Sequence, residues 1–232
     1  MSIKMSRNLS TADELLKFTP ADEKSKNALV TDEALSRRQI HILDEILDSS
    51  FEQIKNLYDQ LVEDDADMPI HFVIGTPGGD ARSMLGIMNL MLLSKTPCYT
   101  YLLNETCSAG SWVYLCGHKR FAPKTNLVSF MLHPIAWDSD SESLGNHNSY
   151  SKYVEKLSKK LIEFTANRTK LSITKLRRLA TNEMQFFIGD EIFEQGIATD
   201  ELTTSTFWLL PKEPKKTKKT KVKEPNQKLL LD

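Results

Sequence analysis

Twice in 232 residues an apolar run stops at a cluster of small residues and passes at once into a helical segment, and that repetition constrains the fold most. Ile70-His71-Phe72-Val73-Ile74 reads as a buried strand, closed by Gly75-Thr76-Pro77-Gly78-Gly79. Residues 80–94 then read as a helix, and Cys98 to Leu103 as a second strand. After a tight connection at Asn104-Glu105-Thr106, the segment Ser108 to Cys116 is helical again. Leu127 to Leu132 forms a third strand and ends at His133. Strand, turn and helix in alternation define an α/β layer with parallel strands.

The flanks extend this plan. Gln39 to Leu43 alternates like a short strand. Phe51, Ile54, Leu57, Tyr58 and Leu61 put an amphipathic helix over residues 50–63. Tyr153, Leu157, Leu161 and Phe164 mark one face of a long helix over 149–168. A second helix starts at the N-cap Ser172 and runs to Thr181, and a short third one ends near Gly196. Three regions are expected: a polar N-terminal arm over 1–35, a globular domain over 36–210, and a disordered Lys-rich tail over 211–232.

Composition excludes several classes. With 40% hydrophobic and 26% charged residues the chain is that of an ordinary globular protein. A net charge of −1 gives no field that would demand a nucleic-acid or membrane partner. The N-terminal stretch lacks the apolar core of a signal peptide, and Asn89 interrupts the longest apolar run. Cys98, Cys107 and Cys116 have no CxxC or zinc-type spacing and read as reduced, buried thiols. A cytoplasmic location is therefore expected.

Chemistry concentrates in the turns. Pro77-Gly78-Gly79 follows a strand and opens a helix, so its amides are free to hold an anion or an oxyanion. Thr106-Cys107-Ser108-Ala109-Gly110-Ser111 joins the next strand to the next helix. Ser108 there is either a nucleophile on an elbow-like turn or simply the helix N-cap. His133 ends an apolar strand just before Pro134. A serine hydroxyl needs a nearby base to take its proton, and an imidazole suits that task, so an exposed serine and a strand-end histidine read together as nucleophile and general base.

Three blocks carry a family resemblance: Phe72 to Gly79, Cys107 to Ser111, and Met131-Leu132-His133-Pro134. In order and separation they resemble the proteolytic subunit of the Clp protease, the caseinolytic serine peptidases, from about Arg38 to Asp200. The resemblance implies a crotonase-like, Clp-type spiral of ββα units with a protruding helical handle, placed here at 149–168. It also implies heptameric rings, stacked face to face, that enclose the active sites. Ser108 would be the nucleophile, His133 the general base, and the amides of Gly79 and Ala109 the oxyanion hole. The substrate would be peptides or unfolded proteins. No cofactor is implied, and ATP would enter only through a partner AAA+ unfoldase, since the chain has no GxxxxGK[ST] loop.

Two segments depart from the family pattern. Its triad acid is an aspartate, yet the matching stretch from Thr181 to Asp190 offers Glu183 or Met184 depending on the direction of counting. Glu183 is the candidate acid. After His133 the family carries a glycine-rich strand, whereas Trp137-Asp138-Ser139-Asp140-Ser141-Glu142 is acidic. Two alternatives stand beside an active peptidase: a catalytically impaired ring subunit with an assembly role, and a processing enzyme for a viral capsid scaffold.

Overall fold

The computed structural model describes residues 32–135, 144–178 and 183–203. Most of the expected N-terminal arm, the acidic segment after His133 and the Lys-rich tail lie outside the described residues. In chain order the elements are α1 (Asp32–Ser36), β1 (Gln39–Ile42), α2 (Ser50–Asp64), β2 (Ile70–Ile74), α3 (Ala81–Leu93), β3 (Cys98–Leu102), β4 (Glu105–Cys107), α4 (Ala109–Leu115), β5 (Lys119–Ala122), β6 (Ser129–Leu132), α5 (Leu144–Arg168), α6 (Ile173–Arg177), β7 (Gln185–Ile188), α7 (Glu191–Glu194) and β8 (Asp200–Glu201). α1 begins inside the stretch 1–35 expected as an arm.

A parallel five-stranded sheet in the order β1-β2-β3-β5-β8 forms the base. All five residues of β2 are buried, which is why this strand reads as an unbroken apolar run. Phe72, Ile74, Ile40 and Leu102 pack beneath Met84, Ile87 and Met91 of α3 in one continuous core. α2 packs on α3, and α3 on α4. Ile54, Tyr58 and Leu61 are the buried face of α2, as its periodicity predicts.

A second, three-stranded sheet in the order β4-β6-β7 leads into the expected site residues Ser108 and His133, one residue beyond β4 and β6. β4 and β6 are parallel with Cys107 beside Met131, and β7 runs antiparallel to β6 with Gln185 beside Leu132. Residues 104–106, expected as a plain connection, thus include a strand. Only Leu103 and Asn104 separate β3 from β4, so the chain steps from one sheet to the other there. The strand at 119–122 goes unannounced in the sequence because Lys119 and Arg120 break its apolar pattern.

Arg120 is 5% exposed and acts as a clamp. Its Nε donates to the Ile197 carbonyl at 2.7 Å, and its Nη2 to those of Arg168 and Gly196 at 2.8 and 3.0 Å. Arg168 in turn donates to the carbonyls of Leu115 and Gly117. These two side chains tie β5, the end of α5 and the segment after α7 together through carbonyls that helix and strand ends leave unpaired. Among the described residues no helix is long and apolar enough to cross a membrane.

Candidate active site

The first glycine turn is built for close approach. Thr76 donates its hydroxyl to the Asp44 carbonyl at 2.5 Å and accepts from the Gly78 amide at 3.1 Å. Gly78 has φ 109° and Gly79 φ 137°, conformations that suit glycine. A Cβ on Gly78 would sit 2.5 Å from the Cβ of Ser108, so the missing side chain is what lets the two turns touch. Gly79 forms a parallel bridge with Ile46. Ile46 bonds to the carbonyl of Gly78 and the amide of Asp80, at 2.7 and 2.6 Å. In a parallel ladder that pattern leaves the N–H of Gly79 itself facing away from Ile46. The chain then enters α3, whose first turn is capped by Asp80 accepting from the Ser83 amide at 2.6 Å.

Ser108 closes β4 and precedes α4. Its amide donates to the Met131 carbonyl at 3.0 Å, continuing the pairing of β4 with β6. Ser111 fastens the same corner, with its Oγ 2.7 Å from the Met131 carbonyl and 2.9 Å from that of Thr106. Ser108 itself has φ 54° and ψ −123° and makes no side-chain cap bond. An L-residue held there stores on the order of 1–3 kcal/mol of backbone strain. The hydroxyl is thus left to something other than the helix: it lies 2.6 Å from Nε2 of His133.

His133 stands one residue beyond β6, so the ends of two adjacent parallel strands bring serine and imidazole together. Its other nitrogen, Nδ1, lies 2.5 Å from the Pro134 carbonyl. A carbonyl can only accept, so this bond selects the tautomer with the proton on Nδ1. Nε2 then carries the lone pair that accepts the Ser108 hydroxyl.

Glu183 is exposed, just ahead of β7. Extending the register of β6 and β7 by two positions places Met184 across from His133 and Glu183 across from Pro134. Among the described residues no carboxylate is hydrogen-bonded to His133. Two of the three expected triad members therefore meet, and a backbone carbonyl occupies the third place. A carbonyl has no residue-type signature, so no sequence pattern could have found it.

A cavity of about 100 Å³ opens beside the pair, bordered by Gly79, Ser108, Ala109 and His133 on one side and by Ala81, Met84, Trp112 and Ile135 on the other. Ala109 is the first residue of α4, so its N–H has no acceptor within the helix. Gly79 and Ala109 both border this space. Cys107, next to the serine, is no rival nucleophile. Burial and the Glu105 carboxylate, 3.3 Å from its sulfur, push the thiol up to about 12. Among the described residues no group of three or more His, Cys, Asp or Glu side chains could hold a metal ion.

The fold is thus one of mainly parallel strands, with a serine and an imidazole brought together at the ends of two of them. The profile of the Clp protease family matches residues 22–205, and the chain belongs to that family. It is a peptidase of the Clp type on a mixed α/β fold, as the three sequence blocks imply.

Proposed function

We propose that the chain is a serine endopeptidase that cleaves peptides or unfolded proteins through an acyl-enzyme, with Ser108 as nucleophile and His133 as general base. The observation that carries this reading is the 2.6 Å contact between Ser108 Oγ and His133 Nε2, made by a serine that caps nothing. Ser108 Oγ attacks the scissile carbonyl carbon while its proton moves to Nε2. The resulting oxyanion accepts from the amides of Gly79 and Ala109. Collapse breaks the C–N bond, and the imidazolium returns the proton to the departing amine. Water, deprotonated by the same imidazole, then attacks the ester and frees the acid and Ser108.

The family further supports assembly into rings, single or stacked, with substrate delivered by a partner AAA+ unfoldase that consumes the ATP. A fluorophosphonate probe is expected to label Ser108 in the assembled protein, and Ser108→Ala to abolish labelling. A folded, assembled wild-type protein that resists the probe would overturn the assignment.

The carbonyl at Nδ1 favours a second reading, an impaired ring subunit whose role is assembly. A carbonyl orients the ring yet brings no full negative charge to the imidazolium, and replacing the triad carboxylate costs about 10⁴-fold in a well-studied serine protease. Under that reading the chain forms rings but hydrolyses no peptide, alone or mixed with an active relative.

A further inference from the structure

The five-stranded sheet has two faces, and the helices cover one of them. Its strands pair level by level: His41 with Val73, Val73 with Tyr101, Tyr101 with Phe121, and Phe121 with Asp200. Level partners in adjacent parallel strands point to the same side, so these residues form one row across the sheet. Ile40, Phe72, Ile74 and Leu102 are one step out of phase and belong to the core on the opposite side. Every described helix contributes to that core, α1 through Leu35, α5 through Leu161 and α7 through Ile192. Val73, Tyr101 and Phe121 are not part of it.

Yet this outer row is buried. Val73 is 3%, Tyr101 6% and Phe121 9% exposed. The rings of Tyr101 and Phe121 stack with centroids 4.8 Å apart and planes 7° from parallel, and the Tyr101 hydroxyl lies 2.7 Å from His71 Nδ1. Burial first, and the Arg38 guanidinium second, hold the His71 imidazole down at about 4, as expected where water is kept out. A parallel sheet needs cover on both faces. With every described helix on the core side, the cover of the outer face is left to chain outside the described residues.

We propose that the outer face is a docking surface and that its occupant is the chain's own segment Phe207-Trp208-Leu209-Leu210. The point where the chain leaves the fold favours this segment. β8 is the edge strand beside β5, and just after it the Leu202 amide still donates to the Ala122 carbonyl at 2.7 Å. Neighbouring strands lie about 4.8 Å apart, so Phe121 and Tyr101 are about one and two such steps from the exit. Residues 203 to 207 span up to about 14 Å when extended, enough to reach either. Composition fits as well. Two aromatic residues followed by two leucines suit a floor of tyrosine, phenylalanine and valine, where rings pack on rings and on aliphatic groups. The segment is then a tethered strap, and a partner that presents an aromatic–aliphatic segment of its own reaches the face only by displacing it. The strap is independent of the roles assigned to Ser108 and His133.

The test uses the full chain and a fluorescein-labelled peptide of residues 204–212, with binding read by anisotropy. A short tether holds its segment at an effective concentration of about 1 mM. Against a Kd of about 100 μM, the order of a weak apolar contact, the strap holds the face about ten times out of eleven. The wild-type chain is therefore expected to bind the peptide about 10-fold more weakly than a full chain carrying Trp208→Ser and Leu209→Ser. Adding Tyr101→Ala to that variant should remove the binding. Equal affinity of the wild type and the strap variant, or binding by neither, would overturn the proposal. Hydroxyl-radical footprinting of the wild-type chain, read by mass spectrometry, tests it without any variant. Trp208 should be oxidised about 10-fold more slowly than in the free peptide, since the strap leaves the face only about one time in eleven. Oxidation at the peptide's rate removes the strap. Protection of Leu15, Leu16 and Phe18 with Trp208 open would give the face to the N-terminal arm instead.

Discussion

The two strand-to-helix turns look alike in the sequence and differ in almost every physical respect. The first, Thr76 to Asp80, reaches positive φ with glycines and caps its helix with Asp80. Nothing in it is strained, and its side chains satisfy its own backbone. The second, Cys107 to Ala109, reaches φ 54° with a serine and leaves its helix uncapped. Its only free hydroxyl points at an imidazole. A turn that meets its own needs is scaffolding. One that stays strained while its hydroxyl bonds to a neighbouring strand's histidine is what the proposed chemistry requires.

Substitutions can break or sharpen this contrast. Gly78→Ala should do the most damage, because its Cβ would strike the Ser108 side chain at a backbone angle that alanine resists. A loss of peptide hydrolysis of about 100-fold or more is expected, with about 2–3 kcal/mol of stability lost in denaturant titration. Ser108→Gly and Ser108→Ala should both be inactive yet differ in stability. Glycine relieves the strain at φ 54° but gains entropy in the unfolded chain, so a net advantage of about 1 kcal/mol over alanine is expected. Equal stabilities would mean that the second turn is as relaxed as the first. Asp80→Ala removes the cap of α3 and should lower stability by about 1 kcal/mol while hydrolysis stays within a few-fold. Glu183→Gln should change least, with stability within about 0.5 kcal/mol and hydrolysis nearly unaltered, because its exposed carboxylate does not reach the ring. A 100-fold loss there would restore Glu183 as the acid.

Much of the architecture was legible because burial and periodicity agree. β2 is apolar throughout and central; α2 is striped and half-buried; Ser172 caps α6 by accepting from the Lys175 amide. Elements went unseen where another demand on the residues hid the pattern. β5 carries Lys119 and the clamp Arg120, β4 is only three residues long, and β7 has Phe186 and Ile188 exposed with Phe187 buried. In the site, the meeting of Ser108 and His133 was readable because the roles proposed for them need particular side chains. The partner of Nδ1 was not, because a main-chain carbonyl supplies it.

Arg120 has a consequence in the time order of synthesis. The glycine turn, Ser108 and His133 all leave the ribosome within the first 133 residues, whereas two of the three carbonyls that hold the Arg120 guanidinium belong to Gly196 and Ile197. Until those residues emerge, closing the core around β5 would bury a cation without enough acceptors, at a cost of several kcal/mol. A chain broken off before residue 196 therefore lacks two of the three carbonyls that hold the Arg120 guanidinium, although it already contains the glycine turn, Ser108 and His133.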